Sequence, residues 1–184
     1  ACYRAAVAGP VKVMAPMVAD AGDAALLLDL AARARDALRA EGVPFAEVDL
    51  GVMLEIPSAI LAADAYFGAI AFASRGTNDL TQYALAVDRV NPALERYRDA
   101  MHPAVLRLIA MAAESADRAG ISLSVCGEMG GDPVAALALV GRGVRQLSMG
   151  AASLPAVRRA IRSADAGELR VLSRAALSDG SAAD

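Results

Sequence analysis

Apolar and polar positions are blocked along this chain, not scattered. Five short runs, at 11–18, 50–56, 69–74, 122–126 and 146–149, are almost continuously apolar, as strands covered on both faces should be. Each is followed by an alanine-rich stretch of helical period. Residues 23–40 carry Leu26, Leu27, Leu30, Ala34 and Leu38 on one side and Arg33, Arg35 and Arg39 elsewhere, the spacing of an amphipathic helix. A second helix is predicted over 103–118, opened by Pro103 and stopped by Gly120. Shorter helices are predicted over 133–140, 155–163 and 167–177, and 178–184 reads as a polar tail that frays.

A strand, loop, helix order implies parallel strands joined by right-handed crossovers, so an α/β barrel and an open doubly wound sheet both fit. In either, a ligand sits at the carboxyl ends of the strands. Those ends hold Pro16 and Met17, then Glu55, then residues 74–79, then Cys126, Gly127 and Glu128, then Ser148, Met149 and Gly150. Chemistry is expected at that pole.

Composition narrows the classes. The 184 residues are 57% hydrophobic, with net charge −3 and a pI near 5.2. Alanine supplies much of the apolar content, and the longest nearly uncharged stretch, 56–74, is broken by Pro57, Asp64 and Gly68; it is no membrane span. The acidic balance argues against nucleic acid as partner. Cys2 and Cys126 are too far apart for a redox or zinc motif, so a reducing, cytoplasmic setting is expected.

The candidate site residues each have a plainer reading. Glu55 ends the run GVMLE, where a rim carboxylate paired with an arginine is the ordinary role; Asn78 and Asp79 follow Gly76-Thr77, where a helix cap is. Taken together at one pole, two carboxylates beside an amide suit Mg2+, which completes its shell with water and substrate oxygens. Arg89 supplies a two-pronged grip for phosphate or carboxylate. A straight helix to Arg89 would carry it roughly 15 Å away, so the chain is expected to turn back. Cys126, in VCGEMGGDP, has acidic neighbours and no obvious cationic activator, which suits a proton donor better than a nucleophile. His102, before Pro103, reads as a helix-start residue, and residues 141–143 fall at the opposite pole.

These stretches carry a resemblance. GVMLEIPSA (51–59), SRGTNDLTQYALAVDRVNP (74–92), HPAVLRLI (102–109), VCGEMGGDP (125–133) and LSMGAASLPAVRRAIR (147–162) resemble, in order, the C-terminal phosphoenolpyruvate-binding domain of enzyme I of the bacterial sugar phosphotransferase system, the phosphoenolpyruvate-protein phosphotransferases. The resemblance implies a partial (β/α)8 TIM barrel, roughly its last five βα units, over 1–177. It implies Mg2+ on Glu55 and Asp79, phosphoenolpyruvate on Asn78, Asp79 and Arg89, and Cys126 as the acid that protonates the enolate carbon. The expected partners are phosphoenolpyruvate, a histidine-containing phosphocarrier protein reached through a further domain, and a second copy in a homodimer. His102 does not match the family's phosphoryl-accepting histidine, and an incomplete barrel leaves strand edges to pair with another copy or a preceding segment. Alternatives are a non-catalytic oligomerisation or partner-binding piece, a related enzyme such as pyruvate phosphate dikinase, and, more weakly, another metal-enolate barrel enzyme such as a lyase. Arg75 stands where the family has an apolar residue, either as an added phosphate grip or as an obstruction.

Overall fold

A computed structural model describes residues 1–175, so the tail predicted at 178–184 and the last residues of the predicted 1–177 domain lie outside it. Five strands form one parallel sheet: β1 (Lys12–Ala15), β2 (Asp49–Leu54), β3 (Phe72–Gly76), β4 (Ser122–Cys126) and β5 (Gln146–Leu147). Their order in space is their order in sequence. A doubly wound sheet would reverse that order at a switch point. Steady progression instead makes these strands an arc of a (β/α)8 barrel wall, as the resemblance implied.

The helices are α1 (Cys2–Ala5), α2 (Ala21–Ala40), α3 (Pro57–Leu61), α4 (Thr77–Leu85), α5 (Pro103–Ala119), α6 (Pro133–Gly141), α7 (Leu154–Ser163) and α8 (Ala166–Ala175). Local chemistry accounts for their starts. Asp20 caps α2 by accepting from the backbone of Gly22 and Asp23, and Asp132 caps α6 by accepting from Val134 and Ala135. Proline occupies the first turn of α3, α5, α6 and α7, where its missing N–H costs nothing. Gly120, at φ +69°, ends α5.

Alternation along the strands sorts the two faces. In register, Leu54 opposes Arg75, which opposes Val125, and Val52 opposes Ala73. These five residues are all buried, and the four apolar ones join the core formed with Ile60, Phe67, Leu80, Val105, Ile109, Ala112 and Leu139. The intervening positions, among them Met53, Ser74, Gly76, Ser124 and Cys126, lie on the other face.

Two expectations shift. The third strand spans Phe72–Gly76, two to three residues later than its apolar run, because Phe67–Ala69 tightens into a 3-10 turn. On α2 the buried positions are Ala24 and Ala31, whereas Leu26 and Leu30 are half exposed. The leucine stripe is therefore wider than the face that packs here. No helix among the described residues is long and apolar enough to cross a membrane.

Candidate active site

The polarity that follows β3 is a strand running into a helix at the carboxyl pole. Gly76 is the last residue of β3 and the residue before α4, and α4 starts without a side-chain cap. Asn78 and Asp79 thus do not serve the capping role that was their plainer reading. They sit in the first turn of α4, where backbone N–H groups and the helix dipole favour negative charge.

Glu55 follows β2 directly and is 6% exposed. It makes no ion pair among the described residues. Its Oε1 instead accepts from the backbone N–H of Met17, at 2.7 Å, across from the end of β1. Met17 adopts φ +54°, a left-handed conformation unusual for a long side chain. Glu55 is also packed against the β3–α4 junction, for a Cβ placed on Gly76 would lie 2.9 Å from its Oε2 and 3.4 Å from Met53 Sδ. Glycine at 76 therefore leaves room for the Glu55 carboxylate beside the turn that bears Asn78 and Asp79.

Cys126 ends β4 on the same side. Its thiol donates to the Arg75 carbonyl at 3.1 Å and lies 3.6 Å from Ser74 Oγ and 3.7 Å from Met53 Sδ. Thr77 Oγ1 donates to the Cys126 carbonyl at 3.1 Å, joining the two loops. Gly127, at φ +99°, then turns the chain so closely under α4 that an added Cβ would lie 2.5 Å from Thr77 Oγ1 and 3.4 Å from Asn78 Oδ1. Beyond the thiol an open cleft is lined by Gly127, Glu128, Gly131, Asp132, Met149 and Ser153.

Arg89 comes back to the pole as its distance along the chain required. Ala86, at φ +53°, closes α4 in a left-handed cap, and Val87 N–H bonds back to the Gln82 carbonyl. The guanidinium then reaches Asp79, with Nη1 and Oδ1 3.2 Å apart. The reversal comes well before Asn91-Pro92, and Asn91 caps the following 3-10 turn instead. His102 is the cap of α5, its Nδ1 accepting from Ala104 N–H at 3.1 Å, and residues 141–143 run from the last residue of α6 toward the amino end of β5, away from the site.

Glu55, Asn78, Asp79, Arg89 and Cys126 all belong to this one pole. Among the described residues no group of three or more His, Cys, Asp or Glu side chains converges as a metal cage. Two carboxylates and an amide are instead the donor set of an ion that keeps water and substrate in its shell, which fits Mg2+ on Glu55 and Asp79. Arg75 does neither of the things weighed for it. Its side chain is fully buried on the helix side of β3, and only its backbone carbonyl faces the site. The roles of Met17, Ser74 and Thr77 escaped sequence reasoning, because a backbone donor and two small hydroxyls carry no spacing signature, although Ser74 and Thr77 lay within the stretch 74–92 and Met17 at a strand end.

The fold and this pole define a class: the chain belongs to the family described as PEP-utilising enzyme, PEP-binding domain, whose model matches residues 1–166. Among curated proteins it is 42% identical over 184 residues to the multiphosphoryl transfer protein of Rhodobacter capsulatus, covering all of this chain and 22% of that protein. It is 48% identical over 160 residues to the phosphoenolpyruvate-protein phosphotransferase of Streptomyces coelicolor, covering 86% of this chain and 27% of that protein. The chain thus spans about a quarter of the length of such relatives. A citrate lyase structure from Burkholderia xenovorans superposes with a TM-score of 0.57 at 17% identity, covering 94% of this chain and 57% of that one, a likeness of fold alone.

Proposed function

We infer that this chain is the phosphoenolpyruvate- and Mg2+-binding portion of a phosphotransferase that moves the phosphoryl group of phosphoenolpyruvate to a histidine of a sugar phosphotransferase system. The observation that carries the reading is the assembly, at one pole, of the buried Glu55 carboxylate, the Asn78–Asp79 turn and the Cys126 thiol around Gly76. Relatives named as phosphoenolpyruvate-protein phosphotransferases support it.

In this reading Glu55 and Asp79 hold the metal, which when bound supplies Lewis-acid stabilisation of charge on the phosphoryl oxygens. The first-turn N–H groups of α4 and the Asn78 amide receive the phosphate. Arg89, already beside Asp79, exchanges that partner for substrate oxygens. As the bond between phosphorus and the enol oxygen breaks and a bond to the acceptor nitrogen forms, the enolate takes a proton from Cys126 Sγ onto carbon and becomes pyruvate. The thiol, resting on the Arg75 carbonyl, is then reprotonated from solvent. The acceptor histidine is not His102, whose Nδ1 is engaged as a cap; it comes from another domain, and a histidine-containing phosphocarrier follows it. The working compartment is the cytoplasm.

Titration calorimetry of the 184-residue chain with phosphoenolpyruvate tests this. Binding should require Mg2+ and be lost in Asp79→Ala; undiminished binding by that variant would remove the reading. A second reading, an association module in a homodimer, is favoured by the outer edges of β1 and β5, which have no strand partner among the described residues. Dimerisation with no phosphoenolpyruvate affinity in the parent chain would select it.

A further inference from the structure

Ser74 is a buried hydroxyl that no step of the proposed phosphotransfer uses. Its Oγ lies 3.6 Å from Cys126 Sγ, a distance at which an O–H donates to sulfur, and among the described residues that sulfur is its one side-chain hydrogen-bond partner. Register sets Ser74 between Met53 of β2 and Ser124 of β4. Alternation therefore keeps the hydroxyl on the face where β4 ends in its thiol.

The surroundings of the sulfur decide what that hydroxyl can do. The thiol proton rests on the Arg75 carbonyl at 3.1 Å, and Met53 Sδ, 3.7 Å away, has no proton to give. The charged groups of the pole are Glu55, Asp79 and Glu128, with the Arg89 guanidinium engaged on Asp79. None of the hydrogen bonds to the sulfur comes from a cation. Once the proton has left, the carbonyl oxygen that held it turns lone pairs toward a negative sulfur, and Ser74 is the side chain placed to answer the charge. A hydrogen bond to an ionised partner is roughly twice as strong as a neutral one.

Building on the reading of Cys126 as the acid, we propose that Ser74 is a positioning residue whose hydroxyl stabilises the Cys126 thiolate left when the enolate is protonated. In that step the S–H bond breaks and its electron pair stays on sulfur. The enolate's carbon–carbon π pair forms the new C–H bond, and its oxygen becomes the carbonyl of pyruvate. Ser74 donates weakly to the thiol and strongly to the thiolate, so its bond tightens as the proton moves, which is the condition for an interaction to lower a barrier. Solvent then returns the proton to sulfur.

Alkylation of Cys126 by iodoacetamide near neutral pH reads the thiolate population. It is measured on the 184-residue chain carrying Cys2→Ser, which leaves Cys126 as the single thiol. Loss of the donor in Ser74→Ala should cut that population about tenfold. The less stabilised thiolate is the better nucleophile, so the net rate should fall about threefold. A merely steric role predicts the opposite sign, because the smaller side chain opens access to sulfur. Ser74→Thr keeps a hydroxyl on a residue suited to a strand and should restore the parent rate. Alkylation of Ser74→Ala as fast as that of the parent would overturn the proposal, and so would a slowed Ser74→Ala that Ser74→Thr leaves slow. Neither phosphoenolpyruvate nor Mg2+ enters the assay, so its failure is distinct from a calorimetric failure of substrate binding, which would remove the reading of the site.

Discussion

Replacing Gly127 by alanine probes the geometry on which the site depends. Gly127 has φ +99° and ψ −174°, a region essentially reserved for glycine, where another residue costs about 1–3 kcal/mol. The new methyl group would also lie 2.5 Å from Thr77 Oγ1. That hydroxyl is bonded to the Cys126 carbonyl and belongs to the buried start of α4, so it cannot swing aside freely, and relieving such an overlap adds about 1–3 kcal/mol. The sum, about 2–6 kcal/mol, is a large share of the ~5–15 kcal/mol that stabilises a typical domain. Gly120→Ala is the control: it also has a positive φ, +69°, but nothing within 4 Å of the added Cβ, so it should lose only about 1 kcal/mol. Urea unfolding followed by circular dichroism measures both, with the Gly127→Ala midpoint lower by roughly 1–2 M. In a double-mutant cycle, Thr77→Ala should recover part of the Gly127→Ala loss by removing the obstructing hydroxyl. A Gly127→Ala variant no less stable than Gly120→Ala would refute the close apposition of the two loops, and with it the placement of the turn after Cys126 against Thr77 and Asn78.

Glu55→Gln retains an oxygen for the Met17 N–H but removes a negative charge from the pole. It should melt near the parent while its Mg2+ affinity, read by calorimetry, falls at least tenfold; unchanged affinity would exclude Glu55 as a ligand. Tyr66 donates its hydroxyl to the Ala59 carbonyl at 2.8 Å, and burial pushes its pKa up to about 12. The unfolded chain then releases this proton first, so stability is fully present below about pH 10 and declines as pH rises toward about 12. Tyr66→Phe should cost about 1 kcal/mol at neutral pH and flatten that alkaline decline in urea unfolding; an identical pH dependence in the variant would assign the decline to other groups.

Much of this protein was legible along the chain, because burial on both faces of a strand and a 3.6-residue helical stripe are local patterns. The five strands, the starts at Pro103 and Pro133 and the stop at Gly120 follow from such patterns. So does the common pole of Glu55, Asp79 and Cys126, since residues that end parallel strands or open the helices after them share one end of the sheet. Tertiary structure alone decided where the third strand begins, which leucines of α2 pack, and that Ala86 reverses the chain to bring Arg89 onto Asp79. It also decided the fate of Arg75. A one-residue step along β3 separates the site face from the core face, and no composition or spacing rule says which face a charged residue takes when its motif neighbours are all apolar or small. Pairing register settles it, and register is a property of the assembled sheet.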